Sequence, residues 1–389
     1  MDAVNCVDQT PLHSACGHGN VDMVELLLGH QAEIEHRDKD GMTPLLTAVK
    51  HGHVTVLKKL LHHGASVTVI DKEDRSPLYL AAEYNHLKCL KTLVKTNSID
   101  WLMRRNDRWD NTAIHIASSS GNLDIVIALI EAGAQIDNKN EDEQTPVHLA
   151  AKHGQLKVLK YILGHDRYSV NDEDFESQTA LHLASSGGHH DIVQELIRAG
   201  ADIHARNSYL WSPLACAAAQ GWVKCASHLI KVNKLIMKYP YNDFSYTKVG
   251  ASLETQDRNK NTPLHLAAKH GHDGVVQLLI DHGADLTAVN LNDNNPISEA
   301  ISRGNQDVIL RILQSERWRE AIRHRHITTQ SVKDTPVKQL IKRFPDLAKI
   351  VFDRSITSNL NSNNNSKTKN IKTVSPDSPD LKVIKTFMS

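Results

Sequence analysis

The chain has 389 residues, and its 45 basic and 45 acidic side chains cancel, so no global field gathers nucleic acid or anionic membrane and nucleic acid is not expected as a partner. No run reaches the roughly 18 to 20 apolar residues that cross a bilayer, and Met1 leads into polar sequence without a signal-peptide core. The five cysteines, Cys6, Cys16, Cys89, Cys216 and Cys225, form no CxxC pair; an odd set of this kind suits reduced thiols, and the chain as given is expected to be cytoplasmic.

Taken from the first residue onward, the sequence repeats itself. TPLHSACGHGN at Thr10 returns at Thr43, Ser76, Thr112, Thr145, Thr179, Ser212, Thr262 and Asn295, with successive starts 33, 33, 36, 33, 34, 33, 50 and 33 residues apart. A fixed period of this length marks a stack of supersecondary units, each too small to bury its own apolar face. Thr or Ser followed by Pro predicts a helix start, because the cap accepts a free backbone N–H and proline lacks one where no partner exists. Ala81, Ala82, Ala150, Ala151, Ala267 and Ala268 are small enough for neighbouring helices to approach closely. VDMVELLL, VTVLKKLL and GVVQLLI place apolar residues at helical spacing and predict a second helix per repeat. Gly64, Gly133, Gly200 and Gly283 follow such helices, where a left-handed C-terminal cap is expected.

The opening tetrad, TPLH in the first repeat, the alanine pair, the GH step and the GA exit recur in phase, and over residues 1–315 the chain resembles the ankyrin-repeat family. The resemblance implies an all-α solenoid of about nine repeats, each a hairpin finger and two antiparallel helices, that binds proteins through its fingers and concave face. The 50-residue interval equals one repeat plus an insertion at about residues 231–250. Its Tyr239, Tyr241, Phe244 and Tyr246 could form a binding patch or pack the loop onto its own repeat. Most fingers are charged, but Arg108 and Trp109, Phe175, and Tyr209 and Trp211 place bulky groups where small turn formers are usual. Such side chains dominate interface energetics and are partner-binding candidates; stacking on an adjacent finger is the alternative.

Twenty-four histidines invite a metal site. His13, His115, His148, His182 and His265 end the tetrad and are read as hydrogen-bonding links between repeats. The pairs His62 with His63, His189 with His190 and His324 with His326 lack a cysteine or carboxylate set of zinc spacing, so no metal is assigned. Neither a nucleophile motif, a phosphate-binding glycine loop nor HExxH is present; no catalytic or cofactor residue is assigned, and the chain is not expected to be an enzyme. Cys89 and Cys225 fall at one phase of the second helix and read as buried structural positions.

The second helix of the last repeat, DVILRILQSERWREAI, is predicted to run on beyond its usual end. From Arg311 to Arg354 eleven basic residues stand against five acidic ones, an excess that could face anionic lipid, inositol phosphate or an acidic protein surface, or only a solvated helical cap. The order ILQSERWREAI then DTPVKQLIKRFPDLAKIVFDRS resembles the stretch joining the array to the membrane domain in transient receptor potential channels of the ankyrin subfamily. Arg317, Trp318, Pro336, Pro345, Asp346, Lys349 and Asp353 match residue by residue, and Phe344 lies within the same coupling segment. That resemblance implies a region that transmits strain or ligand binding to a pore absent here, with channel subunits as partners at the cytosolic face of the plasma membrane. The family's electrophile sensors use cysteines in this region, whereas Thr335 and Ser355 stand at the corresponding positions.

The expected organisation is an array over 1–315, a basic helical linker over 316–356 and a disordered tail over 357–389, whose Asn, Ser and Lys content cannot support a core. Without a polar cap before the first repeat, the chain reads as a fragment, a short splice form or an incomplete gene model. A soluble adaptor that binds a cytosolic protein through its fingers is the alternative function.

Overall fold

A computed structural model describes residues 3–165, 168–232, 250–322 and 335–366, with side chains followed to residue 355. Tyr239, Tyr241, Phe244 and Tyr246 lie outside the described residues. The described residues are helical, with one isolated antiparallel bridge, Asn106–Thr112, and no strand. They form two compact units, residues 1–255 and 256–389.

In the first unit each tetrad opens a helix as its chemistry dictates. Thr43, Ser76 and Ser212 sit in extended backbone, and each hydroxyl accepts the N–H three residues on. Pro44, Pro77 and Pro213 take the first helical position. The first helices are Pro11–His18, Pro44–Lys50, Pro77–Glu83, Ala113–Ser120, Pro146–Lys152, Ala180–Gly187 and Pro213–Gln220, each packed on the next. Their partners, Val21–Gly29, Val54–His62, Leu87–Leu93, Leu123–Glu131, Leu156–His165, His190–Ala199 and Val223–Ile230, form a second row. Helices of 7 to 10 residues are too short to persist alone in water, so inter-row packing supplies their stability. Ala81, Ala82, Ala150 and Ala151 are fully buried, as the close approach of neighbouring helices requires.

Two local devices hold the repeats. Buried Asp or Asn residues lock the fingers: Asp38, Asp71, Asp107, Asp174 and Asn207 each accept the N–H groups two and four residues on through Oδ1. The GH step needs glycine for a second reason besides its backbone. At Gly52, with φ +77°, a Cβ would also lie 2.5 Å from His86 Nδ1 of the next repeat. The 36-residue interval accommodates an additional short helix, Ile99–Arg104.

The second unit repeats the scheme with Pro263–His270 on Pro296–Arg303 and Asp273–Asp281 on Gln306–Gln314. Two differences from the sequence expectation follow. The helix from Gln306 does not run on: it ends at Gln314, and Trp318–Ile322 forms a separate turn. Ser315 turns extended, with φ −63° and ψ 158°, and its hydroxyl donates to Ile312 O, a local hydrogen bond that competes with helix continuation. Further on, the helix beginning at Pro345 extends to Ser366, past residue 356, where the sequence suggested a structureless tail. Residues 367–389 lie outside the description.

Candidate protein-binding surface

The tetrad histidines are fully engaged. In His13, His115, His148, His182 and His265 the cap residue's backbone N–H donates to Nδ1 at 3.2 to 3.3 Å, which fixes Nε2 as the protonated nitrogen. Nε2 then donates to a carbonyl of the next finger: Met42, Gln144, Gln178, Trp211 and Asn294 respectively, at 2.9 to 3.2 Å. Burial, which penalises the charged form, pushes all five below the ordinary imidazole value, His115 to about 4. Each imidazole is a neutral strut between repeats. No cluster of three or more potential metal ligands occurs among the described residues.

In the third repeat Tyr79 takes the place of the tetrad histidine, and its hydroxyl donates to Asp107 Oδ2 at 2.8 Å. Sequence reading missed this link. The signal was SPLY with an acid at the finger-locking position of the next repeat. Cys89 and Cys225 are buried, and desolvation pushes both thiols up to about 11, so neither supplies a reactive thiolate near neutral pH.

The finger candidates separate by exposure. Phe175 is 76% exposed, Tyr209 51% and Trp109 47%. Trp211 is half-buried, and its carbonyl receives the His182 strut. Arg108 lies 4.9 Å over the Trp109 ring and pairs with Glu73 of the preceding finger at 3.0 Å, while Tyr209 donates to Glu176 at 3.2 Å. Arg108 and Tyr209 thus tie fingers together and still present surface. Trp109 and Phe175 stand beside two open cavities of about 230 and 520 Å3. The cavities share Asp142, Gln144 and Lys152 and so form one groove along the first helices of the repeats starting at Thr112, Thr145 and Thr179.

In the second unit the coupling candidates divide between core and surface. Thr335 caps Pro336–Arg343, its hydroxyl accepting the Lys338 N–H. Pro336, Val337, Leu340, Ala348 and Val351 are buried. The helix Pro336–Arg343 packs on Pro296–Arg303, and Pro345–Ser366 packs on Gln306–Gln314, the same pairing of rows that the repeats use. Trp318 is buried, with the guanidinium carbons of Arg319 and Arg354 at 5.3 and 5.5 Å from its ring. Arg317 binds Glu320 and donates to Ala284 O at 2.9 Å.

Phe344 is half-buried beneath Arg343, whereas Pro345, Asp346, Lys349 and Asp353 are exposed. Of the basic excess, Arg311 pairs with Asp273 at 2.8 Å, and Arg317, Arg343 and Arg354 are spent on contacts inside the unit. No described helix is long and apolar enough to cross a membrane.

Comparison with known proteins agrees with this architecture. Over 259 residues the chain is 29% identical to the transient receptor potential cation channel subfamily A member 1 homolog of Caenorhabditis elegans, covering 64% of this chain and 20% of that protein. It is 34% identical over 173 residues to subfamily A member 1 of Homo sapiens, covering 43% of this chain and 14% of the relative. Ankyrin repeat and SOCS box protein 16 of Homo sapiens is 30% identical over 192 residues, with 49% of this chain and 40% of that protein covered. The chain therefore spans a fifth or less of the channel relatives it matches. The family model for ankyrin repeats (3 copies) matches residues 1–71, 68–140, 96–174, 133–207 and 243–319. With most of its length matched and its tetrads, fingers and paired helix rows in place, the chain belongs to the ankyrin-repeat family.

Proposed function

We propose that the chain is a non-catalytic regulatory and protein-interaction region of a subfamily A type cation channel, acting on the cytosolic face of the membrane through channel subunits. The observation that carries this reading is the attachment of residues 335–355 to the last repeat. Arg343 Nη1 donates to Ile301 O at 2.8 Å and Ser302 O at 2.5 Å, and Arg354 Nη1 donates to Leu313 O and Ser315 O. A displacement of the last repeat therefore reaches the segment that resembles the channels' coupling region. Likeness to two channel relatives supports the same reading.

The test is capture from membranes of cells that express a full-length subfamily A subunit together with the tagged chain. Recovery of the subunit with the chain, and its loss on joint Arg343→Ala and Arg354→Ala substitution, is the expected result. No recovery at any expression ratio would remove the channel reading.

A soluble adaptor is the second reading, favoured by the exposure of Trp109, Phe175 and Tyr209 and by similarity to a SOCS box protein. Trp109→Ala with Phe175→Ala would then abolish partner capture while the arginine pair left it intact.

A further inference from the structure

We infer that the groove along the repeats starting at Thr112, Thr145 and Thr179 holds an extended, arginine- or lysine-rich segment of a partner protein with an apolar side chain at every third residue. The inference rests on the protein-interaction reading and names the chemistry of the partner.

Three observations meet in this groove. Its floor carries Ile116, Leu149 and Leu183, which occupy one position, four residues after each tetrad start, in three successive repeats. Packed helices lie about 8 to 10 Å apart. An extended left-handed chain rises about 3.1 Å per residue, so every third side chain advances by roughly 9 Å and meets the next floor position.

Charge supplies the second constraint. Glu141, Asp142 and Glu176 line the cavities, and Lys152 is their only lining cation among the described residues. Neutral donors occupy two of the lining carboxylates without removing their charge: finger N–H groups and Gln144 at Asp174, and Tyr209 and Gln178 at Glu176. The surplus of acid favours cationic side chains between the apolar ones and steers them in. Third, Trp109 and Phe175 stand exposed beside the two cavities. Guanidinium groups stack on such rings, as Arg108 already does over Trp109 at 4.9 Å.

The experiment uses the full chain and fluorescein-labelled twelve-residue peptides built from Leu-Arg-Pro, Leu-Glu-Pro and Ser-Arg-Pro, with binding read by anisotropy at physiological salt. Leu-Arg-Pro is expected to bind, and Leu-Glu-Pro not to bind. Joint Asp142→Lys and Glu176→Lys substitution should weaken binding about tenfold or more, and Phe175→Ser should weaken it as well, with melting curves confirming that both variants fold. Glu131→Lys, an exposed acid of the same unit on a second helix, should leave binding unchanged.

Weakening by Glu131→Lys in proportion to its charge change, two units against four, would reduce the effect to net charge and overturn the assignment. Binding of Ser-Arg-Pro as tight as Leu-Arg-Pro would remove the apolar floor, and absence of all binding would remove the groove. Capture of a channel subunit that persists when peptide binding fails would show that the groove assignment alone is wrong, whereas failed capture with intact peptide binding would leave the groove and remove the channel reading.

Discussion

The repeats of the first unit and the helix pair after residue 334 solve one problem with different side chains. A first helix ends with carbonyls that have no intrahelical partner. In the repeats, the tenth residue after the tetrad start supplies the donor: His53 to Gly17, His86 to Lys50, Gln155 to Ser119, His189 to Lys152 and Trp222 to Ser186, at 2.7 to 3.0 Å. Counting ten from Thr335 reaches Pro345, which has no donor at all. Arg343, two residues earlier, reaches the same carbonyl position at Ser302 with its longer guanidinium, and also Ile301, the position that Asn122 serves at Ala82 O at 3.2 Å. Stacking therefore depends on satisfying the C-terminal carbonyls and not on the residue type that does so. A cation has the further advantage of facing the negative end of the helix dipole.

The hardest way to break this equivalence is to empty the core of the terminal pair. Leu340 is fully buried, and Leu340→Ala should cost about 2 to 5 kcal/mol, read from urea unfolding of the full chain. A cost below about 1 kcal/mol would mean that the pair only leans on the last repeat, and the comparison would fail.

Acid should separate the two regions next. The folded-state value of His115, about 4, lies below its unfolded value of 6.5. Between those values the unfolded chain binds the proton and the folded chain does not, so stability is present above pH 6.5 and is lost as pH falls towards 4. The full shift amounts to on the order of 3 kcal/mol. In the tetrad frame at Thr335 the histidine position holds Lys338, so hydrogen-exchange protection, corrected for the intrinsic pH dependence of amide exchange, should fall from pH 7.5 to pH 5 in Ala113–Ser120 and fall less in Pro336–Arg343. A uniform loss of protection would count against the neutral-strut account.

Much of this was legible in the sequence, and what was not has a physical cause. The cap threonines, the tetrad histidines and the alanine pairs are dictated by local geometry and repeat in phase, so spacing alone exposed them. Arg343 escaped because it substitutes for an imidazole by reach, at a different offset, which no residue pattern records. Yet Thr335, Pro336 and Val337 restate the opening of the tetrad, and that was the available signal. Trp109 and Trp211 looked equivalent as finger aromatics; their difference arises because the backbone turn locked by Asn207 places Trp211 four residues on, at the carbonyl that receives His182.

Overpacking sharpens the comparison within the repeats. Ala150 and Ala267 are fully buried, one in each unit, and Ala150→Leu or Ala267→Leu should each cost about 1 to 3 kcal/mol. A melt that shows no loss for either would mean that the first helices are not in close contact at that position.

The smallest and most discriminating change is Arg343→Gln, set beside Arg343→Lys. Glutamine keeps a donor but is shorter and uncharged, while lysine keeps the charge but replaces the planar, weakly hydrated guanidinium with a compact, strongly hydrated ammonium. Because Arg343 is exposed, solvent screens much of its charge and either change should cost only about 1 kcal/mol. The two replacements still divide the explanation. If lysine restores most of the stability that glutamine loses, the helix dipole dominates and salt should erase the difference. If both lose equally and salt has no effect, the geometry of the two carbonyl bonds is what joins the terminal pair to the last repeat, as imidazole and amide donors do in the repeats before it.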